Sequence, residues 1–215
     1  MSGVGSICLL KSDNREEVIK RTISVLLNKG VVIFPTDTVY GIMGLAEPPV
    51  ISRIFDLKGR TSKPIPVLFS DLDKVLSQFG VTPPSWLEEF SLKFWPGAIT
   101  IVLDSSNIIP GISDTGSVGI RKPAFTPVLE VISGVGGFLG ATSANLTGKP
   151  GEGDYRKIEH VFRDKTDLLV KGPESLVAPS TVIKYSNGVI TLLRQGNLEF
   201  NIMKDFFIRC GINLR

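Results

Sequence analysis

Ten residues able to hold an anion fall at or near the ends of expected secondary-structure elements: Thr36, Lys58, Arg60, Lys63, Ser117, Arg121, Ser143, Asn145, Ser180 and Arg194. Lysine and arginine supply fixed positive charge, and Ser, Thr and Asn supply short hydrogen bonds, so the set suits a phosphate or carboxylate ligand. Singly, each has a plainer reading, because cations are usually solvated and Ser and Asn shape turns. The familiar nucleotide-binding arrangements are absent. A phosphate loop needs GxxxxGK followed by a hydroxyl residue, but Gly148-Lys149 is followed by Pro150, and position 143 is Ser. Gly134 and Gly136 begin a GxGxxG pattern that Leu139 breaks. The single histidine, His160, sits in a charged helical pattern and reads as a surface residue, which leaves no histidine-rich metal centre and no secure Ser-His-Asp triad. No carboxylate pair has convincing metal-ligand spacing, and no general base stands out.

The elements that must carry these residues follow from apolar spacing. Ile19, Ile23, Leu26 and Leu27 predict a helix over 13–29, with Asp13 and Glu16 resembling a capping box and Gly30 ending the helix. Residues 31–34 form a short β-branched run stopped by Pro35, so Pro35 to Gly41 lies at a strand's C-terminal end, where open α/β sheets collect ligands. A helix over 48–57, entered through two prolines, delivers Lys58 and Arg60 just past its end. Strands are predicted at 67–69, 98–103, 117–121 and 138–141, and helices at 70–78, 86–94 and 126–133. Along 117–121, Ser117 and Arg121 face the same side because strand side chains alternate with period two. Residues 181–185 and 189–193 flank Asn187-Gly188, a pair suited to a tight hairpin turn, so the sheet is expected to be mixed, and a last helix covers 199–210.

Composition bounds the function classes. A chain of 215 residues, 42% hydrophobic and 21% charged, with no internal repeat and no long linker, reads as one α/β domain over 1–215. No apolar run approaches the roughly 18–20 residues that span a bilayer, so no membrane association is expected and the expected location is cytoplasmic. Cys8 and Cys210 are isolated, unlike a zinc site or a disulfide framework. A net charge of +3 and a pI near 8.9 favour polyanionic ligands such as nucleotides or RNA.

Taken in order, the blocks FPTDTVYG, LKGRTSKP, SVGIRKP, ATSANLTGKP, PSTVIKY and LLRQG resemble those of the YrdC-like threonylcarbamoyladenylate synthase family, from about Gly30 to Gly196. The resemblance implies a single-domain twisted mixed sheet with flanking helices and a basic concave cleft. It also implies a reaction: L-threonine, bicarbonate and ATP give threonylcarbamoyl-AMP and pyrophosphate, for modification of an adenosine beside the tRNA anticodon. Threonine's amine and bicarbonate form a carbamate, whose oxygen attacks the α-phosphate, a step governed by alignment and by neutralising phosphate charge. By resemblance, Lys58 and Arg60 stabilise phosphates, and Ser117, Ser143, Asn145 and Arg194 join them in holding ATP. Thr36, Lys63, Arg121 and Ser180 match threonine-binding positions, Arg121 offering a planar fork for the carboxylate. Magnesium is expected to arrive with ATP, with no protein-bound metal. Asp37 and Tyr40 read as structural, and Thr36 also reads as a cap for the turn after Pro35.

Two features depart from the family pattern. Thr61 stands where the family often has proline, which leaves the placement of Lys63 open. The roughly twenty residues after the last block are too few for the extra C-terminal domain of longer relatives, which implies the single-domain form. Two other functions compete. A non-catalytic RNA-binding module would use the same cations on an RNA backbone, but the blocks hold only Tyr40 and Tyr185 as stacking aromatics. A carbamoyl-adenylating module of the hydrogenase-maturation type would need zinc-finger and acylphosphatase regions for which two cysteines and this length leave no room. Transfer to tRNA would call on partner proteins.

Overall fold

The structure, a computed structural model, describes residues 6–59, 64–146, 153–172 and 178–215. In chain order the elements are β1 Ser6–Leu9, α1 Arg15–Leu27, β2 Val32–Phe34, β3 Gly41–Gly44, α2 Pro48–Lys58, β4 Val67–Phe69, α3 Leu72–Phe79, α4 Leu87–Phe94 and β5 Ile99–Asp104. They continue with β6 Ser117–Arg121, α5 Thr126–Gly134, β7 Phe138–Ser143, α6 Tyr155–Phe162, β8 Leu168–Lys171, β9 Thr181–Ser186, β10 Val189–Arg194, α7 Asn201–Arg209 and β11 Asn213–Leu214. All the strands join one sheet in the order β1-β8-β2-β3-β7-β4-β6-β5-β9-β10-β11. The sheet is mixed: β4 pairs parallel with β6 and β5 parallel with β9, while β3 runs antiparallel to both β2 and β7. This is the mixed α/β sheet with flanking helices that the sequence predicts. Among the described residues, no helix is long and apolar enough to cross a membrane.

The helices cover the two faces unequally. One core cluster joins α2, α3, α4, α6 and α7 to the sheet through residues such as Ile54, Phe79, Phe90, Phe162 and Phe206. Phe90 sits at its centre, with Phe94, Trp95, Phe206 and Phe207 at ring distances of 4.7 to 5.7 Å. The second cluster joins α1 and α5 to β2, β3, β4, β7 and β8, and contains no residue of β5, β6, β9 or β10. Those four strands therefore keep one face free of helix cover among the described residues.

Local chemistry sets the exact seats. A Cβ on Gly44 would lie 2.4 Å from Val50 Cγ1, and one on Gly140 would lie 2.6 Å from Ile51 Cδ1, so two glycines let α2 rest directly on β3 and β7. The hairpin turn is as expected, with Asn187 and Gly188 at φ of 51° and 77°. The start of α1 differs from the capping-box expectation. Asn14 is the N-cap and its side chain is turned away from the helix, accepting from Lys11 N and donating to Leu9 O. At the other end, Lys29 takes the left-handed conformation at φ 62°, and Gly30 is needed for space, since its Cβ would meet Val25 Cγ1 at 2.6 Å. Asp71 caps α3 by accepting from Lys74 N, one residue after the expected Ser70. Strands β1, β3, β8 and β11 carry no pattern that identified them. Each has two to four residues, and β3, Gly-Ile-Met-Gly, is bounded by poor strand formers.

Candidate active site

The connection between β2 and β3 forms one wall. Thr36 Oγ1 donates to Val39 O at 2.6 Å, so its own proton is committed within the loop. It accepts from Thr38 N and lies 3.1 Å from Thr38 Oγ1. Thr38 therefore donates its hydroxyl proton to Thr36 and presents a lone pair outward. Arg121 Nη1 donates to that lone pair at 2.8 Å, Nη2 donates to Asp37 Oδ1 at 2.6 Å, and Nε donates to Gly97 O at 3.0 Å. The ion pair is well enclosed, with side chains 7% exposed for Arg121 and 14% for Asp37. Burial pulls the Arg121 guanidinium below its ordinary pKa, and the Asp37 carboxylate opposes that shift.

Arg194 joins the same cluster from β10. Its Nη2 and Nε donate to Ser180 O at 2.8 and 3.2 Å, and Ser180 Oγ lies 2.9 Å from Thr100 Oγ1. Burial lowers the Arg194 pKa, and the positive charge of Arg121 lowers it further. Both remain charged, as arginines do. The approach of Arg194 depends on a β-bulge. The β9–β10 pairing runs Leu192 to Ile183 and then jumps to Arg194 opposite Val182, with Leu193 extra. In a regular ladder Arg194, two residues after Leu192, would share its helix-covered face, but the bulge at Leu193 re-aims it onto the uncovered one.

The floor follows from strand alternation. Val102 pairs with Gly119 and with Lys184, and Thr100 pairs with Val182, so these side chains share the uncovered face with Ser117 and Arg121. A Cβ on Gly119 would be 3.5 Å from the Pro66 and Thr100 side chains and 3.7 Å from that of Val102, so glycine keeps the floor low. Ser117 stands at the other end of this strand, its hydroxyl 2.9 Å from Thr115 Oγ1.

The remaining cation works differently. Lys58, at the end of α2, is 3% exposed, and its ammonium donates to Ser143 O at 2.5 Å, Asn145 O at 2.9 Å and Asn145 Oδ1 at 3.1 Å. Ser143 Oγ donates to the same Asn145 Oδ1. The seat of α2 on Gly44 and Gly140 thus lets one lysine tie down the Ser143-Ala144-Asn145 turn. Val67 pairs with Gly140 on one side and Ile120 on the other, which brings the end of β7 and the start of β6 to the same end of β4. Ser143 and Ser117 share that end.

The structure therefore brings Thr36, Arg121, Ser180 and Arg194 into one connected cluster, and Lys58, Ser143 and Asn145 into a second at the end of β7. Arg60 and Lys63 lie outside the described residues. Sequence reasoning set Asp37 aside and passed over Thr38, Thr100 and Gly119. For Asp37, Thr38 and Gly119 their positions in FPTDTVYG and SVGIRKP were the available signal, and for Thr100 its place in the predicted 98–103 strand. No group of three or more His, Cys, Asp or Glu that could hold a metal occurs among the described residues.

The Sua5/YciO/YrdC family model, described as telomere recombination, matches residues 24–196. Threonylcarbamoyl-AMP synthase of Pyrococcus abyssi is 32% identical over 173 residues, covering 78% of this chain and 51% of the relative. Threonylcarbamoyl-AMP synthase of Bacillus subtilis is 31% identical over 192 residues, covering 84% of this chain and 54% of the relative. The chain thus spans about half the length of these relatives. The crystal structure of P. abyssi Sua5 complexed with L-threonine superposes with a TM-score of 0.88 at 27% identity, covering 98% of this chain and 62% of that one. The matched span runs from α1 to the turn after Arg194 and so contains every strand and loop of the site, and on that ground the chain belongs to the Sua5/YciO/YrdC family.

Proposed function

We propose that the uncovered face is the active site of an L-threonylcarbamoyladenylate synthase, an ATP-dependent nucleotidyltransferase. The observation that carries this reading is the pair of oriented guanidiniums, Arg121 and Arg194, at one end of a floor of small and apolar residues. Two fixed cations side by side repel each other unless anions lie between or around them, so the arrangement suits a ligand set rich in carboxylate and phosphate. Threonine, a bicarbonate-derived carbamate and ATP are such a set. The threonine-complexed Sua5 and the names of the two relatives support the same assignment.

In the reaction, threonine's amine adds to bicarbonate with loss of water, giving a carbamate. A carbamate oxygen then forms a bond to the α-phosphorus, and the bond to the bridging oxygen of pyrophosphate breaks. Arg121, Thr36, Ser180 and Lys63 would receive threonine, and Arg194, Ser117, Ser143, Asn145, Lys58 and Arg60 would receive ATP. Lys58 contributes by fixing the Ser143–Asn145 turn, which then offers its hydroxyl and amide in set positions. Magnesium enters as MgATP, neutralising phosphate charge as part of the substrate. Partner proteins in the cytoplasm would then move the threonylcarbamoyl group to tRNA. The RNA-binding alternative is weakened by its aromatics: Tyr40 is fully buried, and Tyr185 packs edge-on against Trp86 at 5.2 Å.

The test is incubation with MgATP, bicarbonate and radiolabelled threonine in the presence of pyrophosphatase, with Arg60→Ala and Arg194→Ala as controls. Labelled threonylcarbamoyl-AMP from the wild type, lost in both variants, is the expected result. A folded wild type that yields no adenylate, yet binds RNA tightly with a steep salt dependence, overturns the reading in favour of the RNA-binding module.

A further inference from the structure

We infer that Asp37 is a positioning residue for Arg121: with Thr38 it fixes the guanidinium so that one N–H on each Nη atom remains to grip a substrate carboxylate. The inference rests on the threonine-binding role proposed for Arg121. A guanidinium has five N–H groups. Nε uses its one on Gly97 O, Nη1 uses one on Thr38 Oγ1, and Nη2 uses one on Asp37 Oδ1. What is left is one hydrogen on each terminal nitrogen, the number that a bidentate carboxylate contact needs.

The two loop residues divide the task. Thr38 can only accept from Arg121, because its hydroxyl proton is directed to Thr36, whose own proton goes to Val39 O. Thr38 thus sets direction without charge. Asp37 adds the charge. Arg194 lies near enough to Arg121 to lower its own pKa, so the two guanidiniums repel, and Asp37 is the acidic group in ion-pair contact with Arg121. The connection that carries Asp37 is held at both ends, by Phe34 and Gly41, which are paired with each other across β2 and β3. The carboxylate is therefore delivered by a short, anchored segment and not by a free side chain on the surface.

The competing account is that the ion pair only fastens this loop to β6. Asp37→Ala and Asp37→Asn separate the two, because the asparagine amide oxygen still accepts from Nη2 while carrying no charge. Calorimetric titration with L-threonine, with threoninol as the analogue lacking the carboxylate, and steady-state kinetics are measured on both variants. The expected result is a rise of about tenfold in threonine Kd and KM for Asp37→Ala, with kcat and the KM for ATP within about threefold of wild type. Asp37→Asn is expected to recover part of that loss, since it restores the hydrogen bond to Nη2 without the charge, and threoninol to bind weakly to all forms. Wild-type threonine affinity in a folded Asp37→Ala overturns the inference, as does a parallel loss of threonine binding, ATP binding and thermal stability. A wild type that does not bind threonine refutes the proposed function instead. In that case the Arg121 side-chain NH signals by 15N NMR decide the positioning claim: separate Nη signals that collapse in Asp37→Ala support it, and signals unchanged by the substitution overturn it.

Discussion

On the β8-β2-β3-β7-β4 side, strands such as Val-Ile-Phe at β2 and Val-Leu-Phe at β4 are buried residue by residue, with helices on both faces. Across the β6-β5-β9-β10 side the same sheet reads Ser-Val-Gly-Ile-Arg at β6 and Thr-Val-Ile-Lys-Tyr-Ser at β9, and only one face meets a core cluster. Under the proposed function, the difference separates where this fold places stability from where it places chemistry. A strand covered on both faces has no position to give a ligand, whereas a strand covered on one can devote every second residue to it. The two cation groups follow the same division. Lys58 emerges from the helix-covered side and is saturated by carbonyl oxygens of its own chain, while Arg121 lies on the uncovered side with donors left over.

Substitutions on the two sides should separate stability from substrate handling. The largest expected effect is at Arg121→Ala, which leaves the enclosed Asp37 carboxylate without its cation. Urea denaturation should show a loss of about 3–5 kcal/mol, and kcat/KM for threonine should fall at least about 100-fold. Retention of threonine turnover would remove the uncovered face from the mechanism. Leu139→Ala, in the fully buried second cluster, should cost about 3 kcal/mol with threonine KM unchanged. A change in KM there would mean that the two sides are coupled. Lys58→Met removes the donor to three oxygen acceptors and should cost about 2 kcal/mol. Amide exchange at Ala144 and Asn145 should quicken in that variant, whereas wild-type exchange would mean that Lys58 serves a ligand alone.

The smallest effect is expected at Tyr155, on the helix-covered face. Among the described residues its hydroxyl is buried without a hydrogen-bond partner, and burial, followed by the charge of Glu159, pushes its pKa from 10.0 to about 12. The unfolded chain loses this proton near pH 10 and the native state near pH 12, so unfolding releases a proton in between and stability falls as pH rises through that window. Tyr155→Phe should raise stability at pH 7 by about 1 kcal/mol and flatten the fall between pH 10 and 12. Denaturation midpoints at pH 7 and pH 11 measure both.

Much of the fold was legible because its signals are local. The predicted strands at 67–69 and 117–121 have the observed bounds of β4 and β6, and the Asn187-Gly188 hairpin follows from two residues that tolerate positive φ. Order and spacing of the blocks also pointed to the family. The site was legible as a residue list and not as an arrangement. Asp37 looked structural because an aspartate in a turn ordinarily bonds its own backbone. Its partner lies 84 positions away, and nothing in the local sequence names it. The short strands β3 and β8 were invisible for a similar reason, since four residues carry no periodicity of their own and are held by neighbours.

By itself the sequence determined the apolar periods that make the helices, the turn residues that end them, and the set of cations and hydroxyls available to an anionic ligand. These depend on interactions within a few residues of chain. Tertiary structure alone decided which face of the sheet stays uncovered, which carboxylate orients Arg121, and that one extra residue at Leu193 turns Arg194 toward the site. Those outcomes rest on strand register and helix placement, which pair residues far apart in the chain and give side chains a direction that no stretch of sequence carries.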